Sequence, residues 1–266
     1  MMVLKIGGAA GVDYGALCDD LATLNQRGER VVLVHGGSHG ANTLAEQLGH
    51  PAKFITSPSG HTSRYTDRRT LEIFMQATAL LNRQLVEQLR ARGVNALGLS
   101  GMDGGILHGT RKANIRSVEN GKIRMIRDDW TGSIEQVNSS LLTMLLETGY
   151  LPVIAPLAVS DKGEPLNIDG DRGAAMIAAA LHADTLLLLT NVAGILREFP
   201  DENSLMSHVP ASELDDVMHL VQGRMKKKIL GAQTALAGDV QRVIIADGRR
   251  AMPITDALAG VGTIIF

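Results

Sequence analysis

The chain opens on two short apolar runs, Met2-Val3-Leu4-Lys5-Ile6 and Val31-Val32-Leu33-Val34-His35. Each stops at a pair of glycines, Gly7-Gly8 and Gly36-Gly37. Runs of this length, rich in Val and Ile and bounded by Gly, predict buried parallel strands. Between them, over Tyr14 to Arg27, Leu17, Leu21 and Leu24 recur at helical spacing, and Gly28 supplies a stop. Strand, Gly-Gly loop and helix therefore occur twice, which predicts two βα units whose loops open at one edge of a sheet.

The alternation continues. Helical spacing predicts helices over Ala41 to Leu48, Arg69 to Arg92 (with Thr66 or Asp67 as N-cap), Gly132 to Gly149 and Ala174 to Leu181. Further helices are expected over Ala211 to Leu220 and from Gln222 through Ala237. Apolar runs predict further strands near residues 96–99, 151–155, 185–189, 242–246 and 262–266. Glu119-Asn120-Gly121-Lys122 is a hairpin signal between alternating strands of 106–126. The expected fold class is α/β, a three-layer sandwich around a central, mostly parallel sheet.

Composition narrows the picture without changing it. At 266 residues the chain is long enough for one large α/β domain or two lobes, and with only 3% aromatic residues Ala, Leu, Val and Ile must build its core. A net charge of −2 gives no global basic field for nucleic acid. No apolar run reaches a membrane span, and the first residues enter a strand rather than a leader, so a cytoplasmic location is expected. The single cysteine, Cys18, excludes internal disulfides and thiolate clusters.

The candidate chemistry sits at the glycine loops. Without Cβ atoms the backbone can turn N–H groups toward an anion, and the following helix adds its positive end. Either glycine pair alone is equally a plain strand end. Two pairs, one beside Lys5, favour a phosphate site. Arg64, just ahead of a helix start, suits a carboxylate or phosphate, and is equally an ordinary surface arginine. Asn167, Asp169 and Asp171 alternate directly before an Ala-rich helix, where an aspartate can also be a simple N-cap. Lys226, Lys227 and Lys228 open a helix, against its dipole, which is costly without a bound anion. Arg111, Lys112, Arg116, Lys122, Arg124 and Arg127 concentrate positive charge on the hairpin segment. A solvated face is the default reading of such a run, and an acidic partner the sharper one.

Seven ordered motifs carry a resemblance: Lys5-Ile6-Gly7-Gly8, Val34-His35-Gly36-Gly37, Arg64-Tyr65-Thr66-Asp67, Gly98-Leu99-Ser100-Gly101-Met102-Asp103-Gly104, Asn167-Ile168-Asp169-Gly170-Asp171, Leu189-Thr190-Asn191-Val192-Ala193-Gly194 and Gly223-Arg224-Met225-Lys226-Lys227-Lys228. Over essentially its whole length the chain resembles the amino acid kinases, within them the acetylglutamate kinase group. It is most similar there to the kinases that act on aminoadipate or glutamate linked to an amino-group carrier protein, in lysine and arginine biosynthesis.

The resemblance implies one amino acid kinase domain over 1–266, with an acceptor lobe at 1–160 and an ATP lobe at 161–266. It implies phosphoryl transfer from ATP, with Mg2+, to a side-chain carboxylate, giving an acyl phosphate. Lys5 and Lys228 would neutralise the transferring phosphoryl group, Gly8 and Gly37 would donate N–H groups to it, and Asp171 would hold the lysines. Gly36, Gly37, Arg64 and Asn167 would bind the acceptor. Lys5, Gly7, Gly8, Thr190, Asn191, Gly194, Met225 and Lys228 would bind the nucleotide, and no protein metal ligands are implied. A small acidic carrier protein and a second copy of the chain are the implied partners, with neither nucleic acid nor membrane.

Three departures bear on the acceptor: Ser63 before the Arg-Tyr-Thr motif, Asn-x-Asp-Gly-Asp at 167–171, and Gly-Arg-Met-Lys-Lys-Lys at 223–228. Acetylglutamate kinases usually differ at all three, so the carrier-linked acceptor is preferred over free N-acetylglutamate. A binding module with a dead site is disfavoured by the intact Lys5, Asp171 and Lys228. A dinucleotide oxidoreductase is disfavoured because no Gly-x-Gly-x-x-Gly follows the first strand.

Overall fold

The computed structural model describes residues 1–7, 13–58, 60, 62–112, 114–119 and 121–266. Its N-terminal half runs β1 (Met2–Ile6), α1 (Tyr14–Gln26), β2 (Val31–His35), α2 (Ser38–Gln47), β3 (Phe54–Thr56), β4 (Thr62–Arg64), α3 (Arg68–Ala91) and β5 (Ala96–Ser100). Then come β6 (Leu107–Arg111), β7 (Ile115–Glu119), β8 (Lys122–Ile126), β9 (Gly132–Val137), α4 (Ser139–Glu147), β10 (Leu151–Ala155), β11 (Leu157–Val159) and β12 (Pro165–Asn167). The chain closes with α5 (Gly170–Ala180), β13 (Thr185–Thr190), β14 (His208–Val209), α6 (Leu214–Leu220), α7 (Arg224–Ala237), β15 (Arg242–Asp247), α8 (Pro253–Leu258) and β16 (Thr263–Ile265).

Eight strands form the central sheet in the order β14-β16-β15-β13-β1-β2-β10-β5, and only the β15–β16 pair is antiparallel. The first strand of the chain lies inside it. On one side are β2, β10 and β5, on the other β13, β15, β16 and β14. The order therefore reverses beside β1, and the crevice beyond the carboxyl ends of strands at such a point is where open α/β sheets bind ligands.

Strand alternation sorts the side chains into two cores. Val3, Val32, Val34, Leu186 and Leu188 pack with α4, α5 and α7 on one face. Met2, Leu4, Ile6, Leu33 and Leu187 pack with α1, α3 and α8 on the other. This is the expected three-layer sandwich. Lys5 shares the parity of Val3 and so points toward α5 and α7.

The expectation of one helix over Gly132 to Gly149 is corrected. Residues 132–137 form β9, antiparallel to β6, and α4 starts at Ser139 with Asn138 as its cap. Helical spacing of Ile134, Val137 and Leu141 is fortuitous: β6 supplies a partner strand far away in sequence, and cross-strand pairing overrides local periodicity. A four-stranded sheet, β12-β11-β6-β9, results beside the main one, while β7 and β8 form the expected hairpin.

Candidate active site

Lys5 reaches the site because β1 ends there. Asp171 reaches it as the second residue of α5, whose N-cap Asp169 accepts hydrogen bonds from the N–H groups of Asp171 (2.9 Å) and Arg172 (3.2 Å). Asp169 is thus the N-cap, while Asp171 faces two lysines. Lys228 comes from the second turn of α7. The two helices approach closely because their facing residues are small: a Cβ at Gly231 would lie 3.4 Å from the Asp171 carbonyl, and one at Gly238 only 2.3 Å from the Ala179 Cβ.

The three side chains converge and are buried. Lys5 Nζ lies 2.6 Å from Asp171 Oδ1, and Lys228 Nζ lies 3.1 and 3.2 Å from the two carboxylate oxygens. Burial opposes ionisation of Asp171, but the two ammonium groups outweigh it and hold its carboxyl far below the usual carboxylate range. Lys228 is pushed down to about 8, by burial first and then by repulsion from Lys5, against the attraction of Asp171. Two cations thus share one anion, leaving an uncompensated positive charge in a buried place. Such a charge is costly unless an anion completes the cluster.

The start of α5 lies against it. A Cβ at Gly170 would lie 3.5 Å from Lys5 Cε and 3.7 Å from the His35 carbonyl, so the start of α5 abuts the ends of β1 and β2. Neither α2, after Gly36-Gly37, nor α7, after Gly223, has a side-chain cap. Their first N–H groups are the kind of donors that take up an anion. Gly8 lies outside the described residues. Lys227 pairs with Asp169 at 3.3 Å, so the Lys226 to Lys228 run divides: one lysine goes inward to Asp171 and one to the cap of α5.

Gly37 has a packing reason to be glycine, since a Cβ there would meet Thr78 Cγ2 on α3 at 2.4 Å. Gly37→Ala is expected to lower stability by about 1–3 kcal/mol through overpacking. The double variant Gly37→Ala/Thr78→Ser, which removes the clashing methyl, should recover most of the lost melting temperature. An unchanged melting temperature in the single variant would mean that α3 yields freely.

A second group forms around Arg64. Its Nη2 donates to Asn42 Oδ1 (2.5 Å) and to the Ser38 carbonyl (3.4 Å), and its guanidinium lies 5.5 Å from the Phe54 ring centroid. Asn167 donates from Nδ2 to Thr66 Oγ1 at 3.1 Å, two residues beyond Arg64. Thr190, Asn191 and Gly194 lie at and beyond the carboxyl end of β13, and Met225 is the second residue of α7. No hydrogen bond among the described residues ties these four to either group. Gly194 has a packing role besides: a Cβ there would come within 2.6 Å of Thr263 Oγ1.

Several contributors were not foreseen. His35 is buried under Gly36, with Nδ1 donating to the Gly36 carbonyl (2.6 Å) and Nε2 accepting from Asn82 Nδ2 (3.1 Å). Burial pushes its imidazole down to about 4, so it is neutral near pH 7 and keeps this one-donor, one-acceptor role. A signal existed: Asn82 stands among Leu71, Phe74, Thr78, Leu85 and Leu89 on the apolar stripe of α3, where an amide is out of place without a partner. Asn42, Asp129 and Trp130 gave no such signal.

A model of the amino acid kinase family matches residues 1–247. The chain belongs to the amino acid kinase family. Among its relatives, the LysW-aminoadipate kinase of Deinococcus radiodurans is 54% identical over 266 residues, covering 100% of this chain and 91% of that protein. The enzyme of the same name from Thermus thermophilus is 48% identical, with 100% of both chains covered. Of solved family folds, the N-acetylglutamate synthase of Neisseria gonorrhoeae complexed with coenzyme A and N-acetyl-glutamate superposes with a TM-score of 0.81 at 27% identity. That match covers 99% of this chain and 58% of the synthase. Carbamate kinase from Giardia lamblia bound to AMP-PNP superposes at 0.70 with 16% identity, covering 100% and 98% of the two chains, a likeness of fold.

Proposed function

We propose that this kinase phosphorylates the side-chain carboxylate of an N-acylated 2-aminoadipate or glutamate carried on a small acidic protein. The product is an acyl phosphate, and ATP is the donor. The observation that carries the reading is the buried Lys5–Asp171–Lys228 cluster with its uncompensated positive charge at the reversal point of the sheet. The names of the relatives from Deinococcus and Thermus support the choice of acceptor.

In this reading a carboxylate oxygen attacks the γ-phosphorus as the bond to the ADP oxygen breaks. The acceptor is already ionised at neutral pH, so no general base is required. The chain's part is positioning and charge stabilisation. Lys5 and Lys228 face the charge on the transferring group, Asp171 keeps both ammonium groups in place, and Gly37, with Gly8, offers N–H donors. Gly36 and Gly37 border the acceptor carboxylate, Arg64 takes the α-carboxylate, and Asn167 takes the acylated nitrogen. Thr190, Asn191, Gly194 and Met225, with Gly7 from the first loop, belong to the nucleotide side, so in this reading 1–160 is the acceptor lobe apart from Gly7, and 161–266 the ATP lobe apart from Asn167. Mg2+ would screen the phosphate charge. Among the described residues no group of three His, Cys, Asp or Glu side chains is placed to hold a metal.

The carrier would dock on the β7–β8 hairpin. Lys112, Arg116, Lys122 and Arg127 are exposed there without an ion-pair partner among the described residues, beside exposed Val118, Ile123 and Met125. Arg111 is engaged instead with Trp130 and Glu164, and Arg124 with Glu119. A cytoplasmic homodimer completes the reading. No helix among the described residues is long and apolar enough to cross a membrane.

Hydroxamate trapping of the acyl phosphate tests this, with carrier-linked aminoadipate, carrier-linked glutamate and free N-acetylglutamate as acceptors. Turnover confined to the linked acceptors is the expected result, and Lys112→Glu/Arg116→Glu should then raise KM for them about tenfold, more at low salt. Turnover on free N-acetylglutamate alone would replace the carrier reading. No turnover on any acceptor would leave a binding module.

A further inference from the structure

Residues 128–130 leave the β7–β8 hairpin and run straight into the acceptor group. Tyr65 donates its hydroxyl to the Asp128 carboxylate at 2.6 Å. The Thr66 N–H donates to Asp129 Oδ2 at 3.0 Å, and the Trp130 N–H donates to the Thr66 carbonyl at 2.7 Å. The Asn167 N–H then donates to the Trp130 carbonyl at 2.9 Å. Three consecutive residues therefore hold the backbone on both sides of the acceptor group, one arm ending two residues from Arg64 and the other on Asn167 itself.

The clasp is stiff. The Asp129 side chain is fully buried, and its second oxygen accepts from the Thr131 N–H (2.7 Å) and hydroxyl (2.5 Å). Arg111 lies 3.8 Å from the Trp130 ring centroid while its Nε donates to the Asp129 carbonyl at 2.8 Å, and Arg68 lies 5.1 Å from the same ring. Two guanidinium groups on one ring, with a buried carboxylate beside it, restrict the segment far more than a connecting loop needs.

We propose that Asp129 and Trp130 are positioning residues for acceptor binding, setting the distance between Arg64 and Asn167. The proposal rests on the reading of Arg64 and Asn167 as the acceptor site. A misplaced pair loses affinity for a rigidly spaced carboxylate and amide, while the nucleotide, on the other side of the cluster, is untouched.

The test compares KM for acceptor with KM for ATP in Asp129→Asn and in Tyr65→Phe. Asn has one acceptor oxygen where Asp129 uses two, so it cannot accept from both the Thr66 and the Thr131 N–H groups: either the Thr66 tether breaks or the turn that fixes the side chain loosens. The expected result is an acceptor KM raised at least tenfold in Asp129→Asn and a few-fold in Tyr65→Phe, with the ATP KM within twofold of the parent. If Asp129→Asn fails to fold, Tyr65→Phe at the exposed end carries the test alone. Trp130 is the chain's only tryptophan, so its emission should shift when acceptor binds and stay unchanged with ATP alone. An unchanged acceptor KM in folded variants, or both KM values rising together, would overturn the proposal. Arg64→Ala separates the two levels: a raised acceptor KM there with none in Asp129→Asn removes the clasp and keeps the site, whereas no change in Arg64→Ala removes the site and the clasp with it.

Discussion

Asp171→Asn is expected to lower kcat for acyl-phosphate formation about 10³-fold, the upper range for loss of a preorganised electrostatic group. The asparagine has nearly the same shape but no charge, and it leaves two buried ammonium groups facing each other. Lys228 already stands at about 8, so without the carboxylate it drops further and loses its proton at neutral pH. Breaking a buried ion pair from one side costs about 3–5 kcal/mol, which for a chain of this size lowers the melting temperature by about 10 °C. The double variant Asp171→Asn/Lys228→Met should recover most of that stability and none of the activity. Recovery of activity would show that the cluster is a structural ion pair.

The same cluster predicts a pH dependence with two signs. The Asp171 pKa is depressed in the folded protein, so its stabilisation is present above the unfolded value of 3.8 and is lost as pH falls below it. Lys228 is depressed too, from 10.5 to about 8, so below pH 8 the fold carries a cost for its charge, which is relieved as pH rises toward 10.5. Activity should move the other way, falling as pH rises through about 8, because catalysis needs the charged form. Melting curves and kcat measured over pH 6–10 should therefore diverge.

Arg64→Ala is expected to reduce kcat/KM for the acceptor about 10²- to 10³-fold, mostly through KM, with KM for ATP unchanged. A guanidinium has five N–H donors, and among the described residues only Asn42 and Ser38 accept from it, both at one nitrogen, which leaves the rest of the fork for a carboxylate in this reading. Two charge-assisted bonds at about 1.5–3 kcal/mol each account for the magnitude. Arg64→Lys should regain only part of it, since an ammonium is a single point charge without the planar fork. Full activity in Arg64→Lys would show that charge alone is read at this position.

Features that depend on neighbours in the chain were legible before any folding. Val-rich runs ending in Gly-Gly marked β1 and β2, an aspartate cap (Asp169 or Asp171) was visible before an Ala-rich helix, and the lysine run at 226–228 was anomalous wherever it stood. The order of seven motifs was enough for the family. Tertiary structure decided what depends on distant partners. Residues 132–137 became a strand because β6 lay beside them, although their spacing was helical. Lys228 rather than Lys227 became the buried partner of Asp171, because the small residues of α5 and α7 set one helix face against the other. Asp129 and Trp130 had no signature at all, since a clasp between residues 66 and 167 exists only once β9, β12 and the start of α3 have been brought together. Local propensity acts over a few residues, whereas desolvation and charge pairing act through space, and the chemistry of this site belongs to the second kind.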